Sequence, residues 1–564
     1  VEIKGQYAHY LEDPYVAPIA RAPLSDETEV LIVGGGFGGM LAAARLREAG
    51  VHDMRIVEKG GDFGGTWYWN RYPGAACDIE SYIYLPLLEE VGYMPVEKYT
   101  RAPEILAYCK RVANHYDLYK SAVFQTEVTE MRWNDDVQRW IVSTNKGDAI
   151  RARFVIMANG PLHRPKLPGI PGVESYKGHS FHTSRWDYAY TGGDSTGGLT
   201  KLKDKTVGII GTGATSVQCV PHLGASAKQL YVFQRTLSSI DVRNNRPTDP
   251  DWAKSLKPGW QQERMDNFNA LISGIPQKED MVNDGWTDII VNLGIVARKR
   301  SGQAGAANPG ELLELADYRK MVQIRARAEA IVKDPNVAES LKPYYRQFCK
   351  RPCFHDEYLD AFNRPNVTLV DTQGKGVDRI TENGIVANGT EYKLDCLIYG
   401  TGFEVGTGYA RRAGYEIYGR GGQSLTDKWK DGVATFHGFF SRGFPNMFIV
   451  SLAQSGFTAN FPHMLNAQSQ HMAYIIKHCA EHQVRVLETS EQAESDWIQT
   501  ILDVAMIRQN FLEECTPGYY NNEGKPSVAA VRNGPYGAGS IAFIKLLEEW
   551  RAEGSLKGLE LKSA

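Results

Sequence analysis

The sequence predicts an α/β fold of two nested units, each with a parallel sheet and a glycine-rich turn, with a helical insert in the second unit. Three observations predict it. Gly34-Gly35-Gly36-Phe37-Gly38-Gly39 follows the apolar run Val30-Leu31-Ile32-Val33, and Glu58 closes a second run, Arg55-Ile56-Val57. Gly211-Thr212-Gly213-Ala214-Thr215-Ser216 likewise follows Val207-Gly208-Ile209-Ile210, and Arg235 closes Leu230-Tyr231-Val232-Phe233-Gln234. In both copies the charged residue stands 24 positions after the first glycine. Finally, residues 250–345 carry helix-like periodicity, above all from Glu311 to Val332, with no strand signal.

Each element follows in chain order. Residues 1–29 read as an irregular arm with aromatic anchors at Tyr7, Tyr10 and Tyr15. The first nucleotide unit closes on Phe154-Val155-Ile156-Met157-Ala158-Asn159-Gly160, and the Pro/Gly-rich stretch Pro165 to Gly172 marks a boundary. Strand-and-turn patterning resumes after the insert at Val367-Thr368-Leu369-Val370 and at Leu394 to Gly402. Helices are expected around Ala467–Cys479, Glu491–Arg508 and Ile541–Arg551, packed back on the first unit. The chain therefore divides into 1–165 and 401–564 for the first unit, the latter with a C-terminal covering segment. Residues 166–248 and 346–400 form the second unit, with the insert at 249–345 between them.

Each glycine turn has a physical reason in a Rossmann-like βαβ unit. The first glycine (Gly34, Gly211) makes the tight turn, and the second (Gly36, Gly213) lets the backbone approach a pyrophosphate at a helix N-terminus. The third position must be small for helix–strand packing, which Gly39 and Ser216 satisfy. At the end of the second strand an acid accepts hydrogen bonds from a ribose diol, whereas a guanidinium suits a 2′-phosphate. Glu58 therefore points to FAD or NAD, and Arg235 to NADP.

Bulk properties set limits. Among 564 residues, Lys+Arg 63 against Asp+Glu 66 gives a net charge of −3, which makes no electrostatic case for nucleic acid or an anionic membrane surface. No 18-residue apolar stretch or signal-peptide pattern is present. The eight cysteines show no C-x-x-C and no metal-ligand spacing, so they read as reduced thiols of a cytoplasmic enzyme without a metal.

Two nested nucleotide folds fit several flavoenzyme classes, and the stretches between them narrow the choice. One is Gly64-Gly65-Thr66-Trp67-Tyr68-Trp69-Asn70-Arg71-Tyr72-Pro73-Gly74-Ala75-Ala76-Cys77-Asp78. The other is Tyr176-Lys177-Gly178-His179-Ser180-Phe181-His182-Thr183-Ser184-Arg185-Trp186-Asp187. Both resemble signatures of the Baeyer–Villiger monooxygenases, FAD- and NADPH-dependent enzymes that turn ketones into esters or lactones. The second is similar to that family's F-x-G-x-x-x-H-x-x-x-W-[P/D] fingerprint. Cys349-Lys350-Arg351-Pro352 resembles its Lys-Arg element and Tyr399-Gly400-Thr401-Gly402-Phe403 its closing turn. Two departures stand out: Tyr176 replaces the usual phenylalanine, and the C-terminal Ser-Trp pair has no match in Cys515 to Lys525.

The resemblance implies a small-molecule ketone and O2 as reactants, a C4a-peroxyflavin and a Criegee intermediate. A ketone is attacked by the deprotonated peroxide, which a cation unable to lose its proton favours. By resemblance Arg351 supplies that cation, and Asp78 is the buried carboxylate that holds it. Thr66, Trp67 and Tyr72, with Gly65, fall to the flavin pocket, whereas Thr236 and Lys350 join Arg235 at the 2′-phosphate. Gly178, His182 and Trp186 couple the two units.

Each assignment has a plainer competitor at this stage: an ordinary ion pair for Arg351 and Asp78, and a structural role for His182. A flavin-containing or N-hydroxylating monooxygenase and a non-oxygenating NADPH–flavin reductase also remain open. Trp186-Asp187 and Lys350-Arg351 argue against the first. Cys77, alone by the flavin motif, argues against a disulfide reductase. The long insert and Tyr519-Tyr520 point to bulky, aryl, long-chain or polycyclic ketones.

Overall fold

Fully apolar runs of β-branched residues cannot sit at a water-exposed sheet face, so Val30–Val33, Ile56–Val57 and Phe154–Met157 pair side by side in a parallel sheet covered on both faces. The computed structural model describes residues 1–288, 292, 309–516, 520 and 528–563. In the first sheet, the strands Ser25–Val33, Met54–Val57 and Ala122–Val123 lie parallel in that order. On the other side of Ser25–Val33 comes Ala149–Met157, whose far half pairs with Met447–Ile449 and whose near half opens into an antiparallel meander with Arg139–Thr144 and Val128–Asn134.

The first strand starts at Ser25, inside the stretch expected to be an irregular arm. Its leading Ser-Asp-Glu-Thr-Glu segment is polar because it lies at the solvated end of the sheet. There Glu27 pairs with Arg151 at 3.2 Å and Glu29 with Arg153 at 2.6 Å, so register with Ala149–Ala152 replaces the missing apolar signal. Only residues 1–24 lie outside the sheet; within them Tyr10 is buried, its hydroxyl 2.7 Å from Ser180 Oγ.

The second sheet is all parallel, in the order Val367–Asp371, Gln229–Gln234, Thr206–Ile210, Cys396–Tyr399, His179–His182. All its strands fall in sequence between Met157 and Glu416, where the first sheet resumes with Glu416–Tyr418. Between Gln229–Gln234 and Val367–Asp371 the described residues are mainly helical: Pro250–Ser255, Trp260–Ile272, Pro309–Ile331 and Pro335–Ser340. Among the described residues the only strands there, Ile240–Asp241 and Cys353–Phe354, flank the insert and pair with each other.

Helix Phe37–Glu48 is buried along most of its surface, between the first sheet and the helix Phe461–Glu481. Close packing at its start leaves no room for a side chain: a Cβ on Gly39 would lie 1.8 Å from the Gly34 carbonyl oxygen. Gly34 itself has φ +112°, and a Cβ there would meet the Ala158 oxygen at 2.3 Å. The second turn repeats this: Gly211 also has φ +112°, with the Gly400 oxygen 2.2 Å from its would-be Cβ. Ser216, fully buried, packs where Gly400 lacks a side chain.

Gly39→Ala is therefore expected to lower stability by about 1–3 kcal/mol or more, the range for overpacking a dense core. Gly213→Ala meets nothing within 4 Å and should stay within about 1 kcal/mol of the parent. Thermal denaturation of the two proteins side by side checks the contrast, and equal losses would discard it.

Candidate active site

At the first turn, Gly36 caps helix Phe37–Glu48 and faces Gly65 so closely that a Cβ on Gly65, at φ +54°, would lie 2.6 Å from Gly36 Cα. Glu58 ends its strand buried, with Oε2 accepting the Gly35 N–H at 2.6 Å and Oε1 the Gly60 N–H at 2.7 Å. Burial raises its pKa against those two bonds. A cavity of about 680 Å³ opens here, lined by Gly34, Gly36, Glu58, Gly65, Thr66 and Trp67, with Phe348, Phe457 and Tyr520 also on its wall. Among the described residues, His163 Nε2 and Thr407 Oγ1 are buried on this lining without a hydrogen-bond partner. Two waiting polar atoms, a backbone cradle at a helix start and a buried acid suit a dinucleotide such as FAD.

Lys59, which sequence reasoning passed over, lines the same cavity with Nζ 2.7 Å from His163 Nδ1. Burial brings its pKa down to about 8. Its signal in the sequence is no more than its place after Glu58. Trp67 donates its indole N–H to the Tyr84 hydroxyl at 3.0 Å. Tyr72, by contrast, is not on the cavity lining: its hydroxyl donates to Gln218 Oε1 at 2.8 Å. Gln218 Nε2 in turn donates to the Ala76 carbonyl at 2.9 Å, so this residue of helix Ala214–Ser226 joins the second unit to the first fingerprint.

At the second turn, Gly213 caps helix Ala214–Ser226 and faces open space, which leaves the helix N-terminus approachable by a phosphate. Thr212 Oγ1 donates to the Thr236 carbonyl at 2.8 Å. Lys350 Nζ reaches the same loop, donating to Thr236 O and Oγ1 at 3.0 Å and Leu237 O at 2.7 Å. Arg235, Thr236 and Lys350 thus gather beside the turn, where an NADP 2′-phosphate would be read.

Arg351 meets Asp78 in a two-bond clamp, Nη1 to Oδ2 and Nη2 to Oδ1, each 2.8 Å. Asp78 is buried and Arg351 about a third exposed, at 36%. Neither lines the large cavity, although Phe348, three residues before Arg351, does. In the second fingerprint His182 is fully buried. Its Nδ1 accepts the Ser184 N–H at 3.1 Å, which leaves the Nε2 proton to be donated to the Gly402 carbonyl at 2.9 Å. Burial, aided by Arg185, holds its pKa down to about 3, so the ring is neutral. Trp186 is buried and donates to Thr191 Oγ1 at 3.1 Å, while Tyr176 covers Gly178 and donates its extra hydroxyl to the Leu394 carbonyl at 2.9 Å.

A further expectation is overturned. Cys349 and Cys515 form a disulfide across a separation of 166 residues, with Cα atoms 5.1 Å apart. The expectation that every cysteine is a reduced thiol fails at this pair because the fold, not sequence spacing, brings them together. The other six, Cys77 among them, are buried free thiols. The departure noted at 515–525 lies largely outside the described residues. Among those described, no group of three His, Cys, Asp or Glu side chains is arranged to hold a metal, and no helix is long and apolar enough to cross a membrane.

Residues 31–290 match the pyridine nucleotide-disulphide oxidoreductase family. Neopentalenolactone D synthase of Streptomyces avermitilis is 56% identical over 99% of this chain and 95% of its own length. Baeyer-Villiger monooxygenase ATR8 of Stachybotrys chlorohalonatus is 52% identical over 100% of this chain and 90% of its own. The chain belongs to the Baeyer–Villiger monooxygenase family. Among solved structures, the polycyclic ketone monooxygenase of the fungus Thermothelomyces thermophila matches with a TM-score of 0.90 at 39% identity, over 100% of this chain and 95% of that one. OTEMO in complex with FAD and NADP matches with a TM-score of 0.79 at 28% identity, over 96% and 100%.

The buried neutral histidine gives this family member a pH signature. Its folded pKa of about 3 lies below the ordinary 6.5, so the unfolded chain binds the extra proton and stability is lost as pH falls from about 6.5 towards 3. His182→Gln, which cannot titrate, should flatten the acid limb of a stability–pH curve by up to one proton. Denaturant melts from pH 7 to 4 measure the slope; an unchanged slope would place the His182 pKa elsewhere.

Proposed function

We propose that this protein is an FAD- and NADPH-dependent monooxygenase that converts a ketone, O2, NADPH and a proton into an ester or lactone, NADP+ and water. The C–C bond between the carbonyl carbon and one neighbour breaks, the inserted oxygen forms a C–O bond to each of those two carbons, and the second oxygen atom of O2 leaves as water. The observation that carries the reading is the Asp78–Arg351 clamp, which fixes a permanent cation where the first fingerprint meets the second unit. Family membership supports it, as do relatives named for ketone oxidation and lactone formation and a neighbour that holds both nucleotides.

In this proposal Gly34, Gly36, Gly39 and Gly65 keep backbone open for the flavin nucleotide, Glu58 accepts its ribose hydroxyls, and Thr66 and Trp67 flank it. Gly211, Thr212, Gly213 and Ser216 form the NADPH turn, with Arg235, Thr236 and Lys350 at the 2′-phosphate. FAD, reduced by NADPH, supplies the activated oxygen. Arg351 stabilises the negative charge on the attacking oxygen, because a guanidinium stays protonated throughout. Asp78 holds that cation in place, and Tyr72 ties the first fingerprint to Gln218 of the second unit. Gly178, His182 and Trp186 keep the second unit in register. The apolar side chains on the cavity wall, among them Phe348, Leu452 and Phe457, support a bulky ketone. Action in the cytoplasm, where NADPH is regenerated, belongs to the same proposal.

A ketone panel under 18O2 should yield an ester carrying one labelled oxygen, and Arg351→Ala should keep FAD and its reduction by NADPH. Ester formation should nonetheless fall about a hundredfold or more, the usual cost of removing a charge-stabilising donor, with oxygen returned as hydrogen peroxide. Asp78→Ala should lose less. An Arg351→Ala enzyme that makes ester at the parent rate would remove Arg351 from the chemistry.

Separately, Arg235→Ala should narrow the preference for NADPH over NADH by about tenfold to a hundredfold, mainly by weakening NADPH. Equal KM values for both coenzymes in the parent would defeat the 2′-phosphate assignment.

A further inference from the structure

Resting on the reading of Arg351 just given, we infer that Trp286, in the insert, is a positioning residue for the Asp78–Arg351 pair. Its indole N–H donates to the backbone carbonyl of Asp78 at 3.0 Å, across 208 residues. The same ring lies 5.9 Å from the Arg351 guanidinium carbon and packs against Phe354 at 5.2 Å. One side chain thus touches the backbone of the acid, the face of the cation and the strand Cys353–Phe354 that follows the cation.

The turn that carries Trp286 is itself held rigidly. Asp284 Oδ1 accepts the backbone N–H of Trp286 at 2.9 Å and of Thr287 at 3.3 Å, and its Oδ2 accepts the Tyr99 hydroxyl at 3.1 Å. Gly285 lies so close to Phe354 that a Cβ would fall 2.2 Å from its Cε1, so the turn is seated flush on the strand. A two-bond clamp between guanidinium and carboxylate is a planar arrangement that tolerates little rotation. Arg351 is 36% exposed and has water as a competing environment. The indole opposes that escape in two ways: it fixes the backbone from which the carboxylate reaches, and it offers the cation an aromatic face on the inner side. The insert, far from the glycine turns in sequence, thereby aims the residue on which oxygen transfer depends.

The test compares the parent, Trp286→Phe and Arg351→Ala as FAD-loaded enzymes. Trp286→Phe keeps an aromatic ring against Phe354 and removes the N–H. It is expected to retain FAD and to be reduced by NADPH at a rate within about twofold of the parent. Hydrogen–deuterium exchange in peptides covering residues 77–80 and 350–354 should rise about three- to tenfold, as for the loss of one buried hydrogen bond. The ratio of hydrogen peroxide to ester per NADPH consumed should rise by a similar factor.

Unchanged exchange and unchanged product ratio, while Arg351→Ala loses ester formation, would overturn the role of Trp286 and leave that of Arg351 standing. Ester formation retained by Arg351→Ala would instead bring down the reading on which the inference rests. Should Trp286→Phe fail to fold, 3-benzothienylalanine at this position keeps the indole's shape and deletes only the N–H. Loss of FAD binding together with every later step in that protein would make Trp286 merely structural and end the proposal.

Discussion

The clamp between Asp78 and Arg351 is the interaction on which the rest of the site depends. A carboxylate this well buried is unfavourable unless its charge is met, and both its oxygens are met by one guanidinium that comes from 273 residues away. Because Asp78 ends the first fingerprint and Arg351 follows Lys350 beside the second glycine turn, the bond ties the two units together at that seam. Gln218, holding Tyr72 on one side and the Ala76 carbonyl on the other, reinforces the same seam with neutral hydrogen bonds. The two partners are not equivalent: without Arg351 a buried carboxylate loses its counter-charge, whereas without Asp78 the cation still reaches water.

What was legible in the sequence is what the physics makes local. A glycine turn must fall between a strand and a helix within a few residues, and its reader must fall at the end of the next strand, so Gly34 to Glu58 and Gly211 to Arg235 are each visible as a motif. Polar strand ends, by contrast, are set by the neighbouring strand, which is why Ser25 to Glu29 read as loop. The residues that couple distant segments left no pattern at all. Trp286 and Asp78, Gln218 and Tyr72, Cys349 and Cys515 stand 208, 146 and 166 residues apart, and nothing at either end announces the other. Tyr176 was visible as a departure from the fingerprint, but the use of its hydroxyl, a bond to the Leu394 carbonyl, depends on a strand more than 200 residues later.

The disulfide bears on the same geometry. Cys349 lies between Phe348, which lines the cavity, and the Lys350-Arg351 pair, and Cys515 lies beyond the helix Glu491–Glu513, which contributes Ala505 and Phe511 to the cavity wall. Arg346 adds a second tie, pairing with Glu514 and lying 5.0 Å from the Phe511 ring. Phe348 and Phe511 of the cavity wall and the Asp78-bound Arg351 are thus anchored to one short stretch of chain.

Equal spacing in the two nucleotide turns hides unequal work. Glu58 is enclosed by its own loop, and the Gly35 and Gly60 N–H groups take two of the acceptor sites of a carboxylate that has about four. Two sites therefore remain for a ribose diol, and the acid closes the turn even before a nucleotide arrives. Arg235 has only donors, and the neighbouring Thr236 oxygens are already engaged by Lys350 and Thr212. That arrangement brings two cations to one loop. The first turn is accordingly built around an acid that its own loop already holds, and the second around clustered basic residues of the kind that recognise a phosphate.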